Sequence, residues 1–568
     1  LNLFSAICDA TAAGVLCAAV TLWRRSVWTG LLAGALFAFS PGVWRYAVCA
    51  EVFALNNLFV TVLVYVAVRW EKTREARLVL FGAFAFGLGL TNHQTLLFTG
   101  LPLAAWMLWA GRGQLLHPGM LLRIVCCFAA GLLPYAYLAI AGANPQGDSW
   151  GATQTWTGFW THVLRREYGT FLLAVPGGHA SRPLDVLGAW ADYLVGQLSW
   201  AGVILAVIGL VITVRAAWRS PPEFGAVAFV PPLLAVATFT AFANDDVHVP
   251  LLREVVARFW QQPAIFCCAW AAIGVATLVS RVATQARALP AAAVAAGALQ
   301  LATHFHEEDR SGNQIIHNYG AEILRMAPQG ALLVVQGDIV MNSVLYLQAT
   351  GMRPDVRVVD QQVYGSPWAT ARLSARYPEI RIPSSDAMVA LFDANFGARP
   401  IVVCGGVKDP SADGHYTLHP LGFCGLLGPT PDPTSDEEWI ARDKEALPRV
   451  DFAGQAHPSG SWEEVVWDQY WTAHRTWAKR LLSLAGHDES KRPLVRLAAT
   501  TLQDLLQKDP DATPQDYKSF AQAERRLGRD TPEQRARVAE AWRNYLRVAP
   551  ANETQRQAIE REVQELER

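Results

Sequence analysis

The sequence predicts a multi-span α-helical membrane bundle, followed by a small α/β domain outside the membrane and a helical tail. Three observations predict it. Apolar runs fill residues 1–303, whereas most acidic and basic side chains fall in residues 304–568. Ten of those runs reach or approach the roughly 20 residues that a helix needs to cross a bilayer. Beyond residue 330 the apolar pattern shortens to strand-like runs, and from about 461 it is helical again.

The ten runs are 3–22, 27–44, 52–69, 78–92, 95–110, 120–141, 193–214, 224–243, 262–280 and 288–303. The fourth and fifth are short and share a polar joint, Asn92-His93-Gln94, which suits a tight hairpin. Of the Arg and Lys in the connections and at the run ends beside them, twelve fall in one alternating set and six in the other. Basic residues accumulate on the cytoplasmic side. That places the chain start, the 142–192 loop and everything after 303 on the outer face. An outer start, a first residue Leu1 and no basic leader predict a chain whose natural beginning lies upstream. The loop gathers Trp150, Trp156, Phe159, Trp160, Tyr168 and Phe171 beside Arg165 and Arg166. Amphipathic aromatics favour the membrane interface, so short helices lying on the outer leaflet are expected.

In residues 304–460, Ala331–Val335 and Val356–Val359 read as buried strands, 341–350 as a helix and Ile401–Val403 as a third strand. That is a small α/β domain with a parallel pair. Residues 410–460, rich in Pro, Gly and Asp, read as loop. Residues 461–568 read as helices, and Ala541–Pro550 resembles the close of a tetratricopeptide-type hairpin, with one or two units at most. A net charge of -1 gives no footprint for a nucleic-acid partner. Only seven of the 48 basic residues are Lys, a bias of GC-rich bacterial genomes. The expected location is therefore a bacterial inner membrane, with the C-terminal half periplasmic. Seven of nine Cys lie in or near apolar runs and read as small buried hydrophobes. Cys404 and Cys424 would suit a disulfide in an oxidising compartment.

Polar groups collect at the predicted outer ends of the runs: Glu51 with Asn56, Asn92 with His93, Asp245 and Asp246 with His248, and Arg258. Ionisable groups at membrane depth are costly and are functional candidates for that reason. Singly, each reads as well as an interface anchor. Together they predict a polar cavity opening outward. Asp245, Asp246 and His248 offer metal-type ligands, but three groups within four residues rarely converge on one ion, so a solvated loop is favoured and no metal or cofactor is expected. Asp9, inside the first run, suits a pairing role within the bundle. Gly337-Asp338 follows a strand but lacks the glycine-rich loop with Lys-Ser/Thr that would cradle a nucleotide. No zinc-spaced Cys/His set and no Gly-x-Ser-x-Gly elbow is present.

Trp44–Asn56, Gly87–Thr95, Trp150–Trp160, Arg165–Gly169, Arg258–Trp260, Tyr346–Gln348 and Gly351–Val359 resemble, in order, a family whose animal members are transmembrane protein O-mannosyltransferases. The resemblance covers roughly residues 1–370. It implies a GT-C-like bundle with an outward-facing cavity, a polyprenyl-phosphate-linked sugar as donor and a protein hydroxyl as acceptor. Such a donor needs no nucleotide pocket. The implied reaction is an inverting displacement, with a carboxylate as base and a cation on the leaving phosphate. Arg258 is the first choice for that cation and Arg45 the second. Glu51 is the best carboxylate present, as base or sugar ligand. His93, a catalytic candidate beside Glu51, would with Asn92 orient the acceptor or the sugar hydroxyls; Asn56, Asn92, Arg165 and Tyr168 would bind sugar or donor phosphate, and Trp150, Trp156 and Trp160 would form a platform for lipid or acceptor. In GT-C enzymes the usual catalytic carboxylate follows the first span. That segment would precede Asn2-Leu-Phe-Ser-Ala6, so this chain alone is expected to be nearly inactive. Two alternatives stay open: transfer to a lipid or glycan, and a non-enzymatic transporter or scaffold that docks partners through the helical tail.

Overall fold

A computed structural model describes residues 1–144, 149–166, 181–219, 223–242, 245–282, 287–407, 409, 412, 414–430, 434–550 and 553–568. The chain divides into two compact units, Leu1–Ser311 and Gly312–Arg568.

The first unit is helical: α1 (Asn2–Arg24), α2 (Val27–Ala38), α3 (Pro41–Ala47), α4 (Val52–Thr73), α5 (Ala76–Asn92), α6 (Leu97–Ala110), α7 (Arg112–Leu115), α8 (Pro118–Gly131), α9 (Tyr135–Ala143), α10 (Trp156–Val163), α11 (Pro183–Arg219), α12 (Val230–Phe242), α13 (Pro250–Ala257), α14 (Gln261–Val282) and α15 (Ala288–Glu308). Among the described residues seven helical segments are long and apolar enough to cross a membrane. An eighth is the pair α2 and α3, bent by 64°, and two shorter apolar helices cover 76–92 and 94–110. These account for all ten predicted runs and make the chain an integral membrane protein. Local signals set the breaks. Ser26 caps α2 by accepting from the Thr29 amide, and Pro41 occupies the first turn of α3. The run 120–141 is two helices, because Pro134 cannot donate to the ladder after α8. The run 193–214 is part of a 37-residue helix kinked at Ser199, whose φ is 61°.

Bundle packing relies on small residues that let backbones approach. A methyl added at Gly209 of α11 would sit 1.9 Å from the carbonyl oxygen of Trp270 in α14. A methyl at Gly274 of α14 would sit 2.1 Å from that of Leu205. The contact is reciprocal and closes α11 onto α14.

The second unit runs α16 (Ile315–Met326), β1 (Leu332–Val335), α17 (Asp338–Ala349), β2 (Arg357–Asp360), α18 (Pro367–Arg376), α19 (Met388–Asn395), β3 (Ile401–Cys404), β4 (Tyr416–Leu421), β5 (Cys424–Pro429), α20 (Asp436–Ala441), α21 (Asp443–Ala446) and then α22 (Trp462–Ala485), α23 (Arg492–Lys508), α24 (Pro514–Leu527), α25 (Pro532–Val548) and α26 (Arg556–Leu566). The sheet order is β2-β1-β3-β5-β4. β1 pairs in parallel with both β2 and β3, while β5 pairs antiparallel with β3 and β4. The three expected strands are therefore present, and the stretch read as loop holds a further hairpin. Its two-residue turn, Gly422-Phe423, needs a positive φ only at Gly422 (58°), as a type II′ turn does. Cys404 and Cys424 face each other across β3 and β5 with Cα atoms 4.4 Å apart and form a disulfide. That separation is the one non-hydrogen-bonded antiparallel partners adopt. The tail helices α22 to α26 each pack on the next. Capping boxes at Thr513/Asp516 and Thr531/Gln534 start α24 and α25.

Candidate active site

The α3–α4 connection, the turn after α5, the segment before α14 and the end of α10 meet in the first unit. Each contributes polar groups because its helix ends there and leaves backbone and side chains without ladder partners. Glu51 is the residue that precedes α4, half exposed. Arg258 opens a single 3₁₀ turn, Arg258–Trp260, that leads into α14. Its Nε donates to the Val255 carbonyl at 3.1 Å, and its Nη1 stands 3.8 Å from Glu51 Oε1. That is an ion pair too long to be a hydrogen bond. The guanidinium lies 5.6 Å from the ring centre of Phe53 and 5.5 Å from that of Phe259. The same two rings flank His93, at 5.4 and 5.8 Å. His93 and Arg258 thus share one aromatic pair, with Glu51 beside Arg258.

Behind them runs a buried polar network. His93 Nδ1 is 2.7 Å from the Thr95 hydroxyl, which also receives Asn56 Nδ2 at 3.3 Å and Gln262 Nε2 at 3.0 Å. One residue along, Asn57 Nδ2 donates to Asp9 Oδ1 at 3.0 Å and to Gln261 Oε1 at 2.8 Å. Asp9, Asn56, Asn57, Gln261 and Gln262 are all at most 4% exposed. Asp9 is therefore a pairing group within the bundle. Asn92 Nδ2 donates to the Val52 carbonyl at 3.0 Å and so ties the end of α5 to the start of α4.

The 142–192 loop reaches the same place. Gln94 Nε2 donates to the Val163 carbonyl at the end of α10. Arg165, with φ 51°, follows and lies within electrostatic reach of His93, as does Arg258. On α10 the rings of Trp156 and Trp160 meet at 5.6 Å, and Trp156 is 77% exposed. Trp150, also exposed, precedes that helix. Tyr168 and Phe171 lie outside the described residues.

Arg45 has another assignment. Its Nη1 donates to Glu254 at 2.9 Å and its Nη2 to Glu308 at 3.1 Å. Two carboxylates already take its two terminal nitrogens and leave only the buried Nε without a partner, whereas neither terminal nitrogen of Arg258 makes a hydrogen bond among the described residues. The 245–248 stretch is a structured loop. Asp246 Oδ1 accepts from the Ser181 hydroxyl and from the His248 amide, and His248 lies 3.6 Å from Asp185. Among the described residues no three His, Cys, Asp or Glu side chains gather to hold a metal. Asp245 is separate: it is 6% exposed, and its Oδ2 has no hydrogen-bond partner among the described residues. Burial holds its carboxyl above the usual range, against the opposing pull of Arg258, so it too belongs near this site.

Sequence reasoning assigned no role to Tyr46, Asn57, Glu254, Gln261, Gln262 or Glu308. The signal available was two amide doublets, Asn56-Asn57 and Gln261-Gln262, in otherwise apolar runs. Amides at that depth need partners, and here they find one another.

The N-terminal domain of protein O-mannosyl-transferase TMEM260 matches residues 1–116, a stretch that holds Arg45, Glu51, Asn56, Asn92 and His93. Mouse protein O-mannosyl-transferase TMEM260 is 31% identical over 515 residues, which take in 85% of this chain and 73% of the mouse protein. The chain belongs to the TMEM260 family. A Dictyostelium discoideum relative, protein O-mannosyl-transferase tmem260, is 27% identical over 507 residues, 79% of this chain and 61% of its own length. Two of the motif stretches that carried the resemblance, Trp44–Asn56 and Gly87–Thr95, fall inside the TMEM260 N-terminal match and supply the Glu51 and His93 sides of the site.

Proposed function

We propose that this TMEM260-family chain transfers a sugar, mannose as in the names of its relatives, from a polyprenyl-phosphate carrier to a Ser or Thr hydroxyl of a protein on the outer face of the membrane. One observation carries the reading: a carboxylate, a cation and an imidazole from three separate helix ends meet at Phe53 and Phe259. The excess of Arg and Lys in the opposite connections supports the outward orientation.

The acceptor oxygen attacks the anomeric carbon while Glu51 takes its proton. The bond from that carbon to the phosphate oxygen breaks, and the electron pair leaves with the polyprenyl phosphate. Arg258 offsets the growing charge, and the configuration at carbon inverts. The 3.8 Å separation of Glu51 and Arg258 favours this division of labour, because the pair parts at little cost. Phosphate then takes the guanidinium and the hydroxyl takes the carboxylate. Asn92 and Arg165 would orient sugar and phosphate oxygens. The exposed Trp face of α10 is the platform on which a lipid-borne donor arrives.

The test is transfer from mannosyl-phosphoryl-polyprenol to a Ser/Thr peptide by the purified chain in lipid nanodiscs. Arg258→Met and Glu51→Gln should each lower turnover by on the order of a hundredfold. Both variants turning over at the parent's rate would overturn the proposal. A glycosylated lipid in place of a glycosylated peptide would reassign the acceptor.

A further inference from the structure

His93 is built into its turn in a way that fixes which of its nitrogens carries the proton. It caps the 3₁₀ turn Gln94–Leu96, its Nδ1 accepting from the Thr95 backbone amide at 3.3 Å. A backbone N–H has no lone pair, so Nδ1 must supply one. The Thr95 hydroxyl lies 2.7 Å from the same nitrogen. That hydroxyl oxygen receives amide donors from Asn56 and Gln262, at 3.3 and 3.0 Å, which leaves its hydrogen to point at Nδ1. Two donors therefore converge on Nδ1, and the neutral ring carries its hydrogen on Nε2. Nε2 sits on the opposite edge of the ring and makes no hydrogen bond among the described residues. Protonating the ring is opposed first by its burial and then by Arg165 and Arg258, which act against a further positive charge there, and Nδ1 is already filled.

We propose that His93 is a fixed hydrogen-bond donor, presenting Nε2–H to the phosphate that Arg258 neutralises, and is not a base or an acid in the reaction. This rests on the phosphate-linked donor proposed above. The placement fits. The imidazole and the guanidinium share Phe53 and Phe259, so one anionic group at that aromatic pair meets a charged donor and a neutral one together. Asn56, Thr95 and Gln262 act on the reaction only through the ring they orient, as positioning residues.

Two measurements on the full chain in nanodiscs test this. The first needs no transfer activity. In 15N-histidine solid-state spectra, with His93 assigned by difference against His93→Gln, Nδ1 should be pyridine-type and Nε2 pyrrole-type at neutral pH. Adding polyprenyl phosphate should shift the Nε2–H signal, and inorganic phosphate serves to separate headgroup chemistry from lipid delivery. A ring protonated at Nδ1, or an Nε2 signal indifferent to both phosphates, would overturn the proposal. The second is kinetic. His93→Gln, which keeps an amide nitrogen near the Nε2 position, should lose less than about tenfold, whereas His93→Asn, which keeps only the acceptor facing Thr95, should lose on the order of a hundredfold. Equal loss in both variants, with an ionisation vanishing from the pH profile, would make His93 a base after all. A parent chain inert toward every sugar donor beside an active chain extended upstream would return the base to the preceding segment; inertness of both would sink the transferase reading and leave the spectroscopic result to decide the tautomer and the phosphate contact.

Discussion

Replacing Arg45 by Met should destabilise the first unit by about 3–5 kcal/mol, the usual cost of leaving one member of a buried ion pair alone. The cost resides in Glu308 rather than in Glu254. The Glu308 side chain is 0% exposed, its Oε1 accepts from Arg45 at 3.1 Å, and its Oε2 has no partner among the described residues. At that separation the Coulomb attraction in a medium of effective dielectric 20 is about 5 kcal/mol, consistent with the mutational range. Glu254 is 36% exposed on its side chain and can turn to water when Arg45 goes. The second substitution follows from this: Glu308→Gln in the Arg45→Met background should recover most of the loss, because a neutral amide remains where a naked carboxylate would. The assay is equilibrium unfolding in detergent across the four members of the double-mutant cycle. An Arg45→Met loss below about 1 kcal/mol, or no recovery on adding Glu308→Gln, would refute the claim that Arg45 is committed to holding α3, α13 and α15 together.

Gly209→Leu should disrupt the α11–α14 contact, since the first added carbon already lies 1.9 Å from a backbone oxygen, and the variant should elute as aggregate on size exclusion in detergent while Gly196→Ala, in open space, should not. Replacing Cys404 and Cys424 by Ser releases a 20-residue loop and should cost the second unit about 3 kcal/mol, read as a fall in its denaturant midpoint. Asp355 is held well below the usual carboxylate range, first by the Arg353 guanidinium and then by the Gly330 amide. Its contribution to stability is therefore present above the unfolded value of about 4 and is lost as pH falls toward the lowered folded one, so Asp355→Asn should flatten the acid limb of the unfolding profile in that window.

The membrane unit was legible because length and hydropathy alone decide which runs span a bilayer, and because the joint at 92–94 breaks two such runs with polar residues. The kink at Ser199 was not, as no Pro or Gly marks that position. The β4–β5 hairpin was hidden by its composition. Pro420 reads as a strand breaker but lies in β4, the edge strand, where a missing N–H leaves no ladder bond unmade. Gly428 weakens the pattern of β5, yet an added carbon there would sit 2.0 Å from His419 Nε2, so glycine makes room for that ring. At the site, sequence singled out Glu51, Asn92, His93 and Arg258 from their places at run ends, and the structure brings Glu51 to Arg258 and sets Arg258 and His93 on the same two rings. It could not foresee that Arg45 would meet Glu254 and Glu308, 209 and 263 residues away. Pairings of that separation are decided by packing, which no local pattern encodes.

The most direct measurement is a cryo-EM map of the chain in a nanodisc with a non-transferable mannosyl-phosphoryl-polyprenol bound. Its phosphate should lie within hydrogen-bond reach of both the Arg258 guanidinium and His93 Nε2, with the anomeric carbon on the Glu51 side. A phosphate bound elsewhere, with Arg258 still against Glu51, would contradict the assignment of the cluster at Phe53 and Phe259 as the place where sugar leaves its lipid.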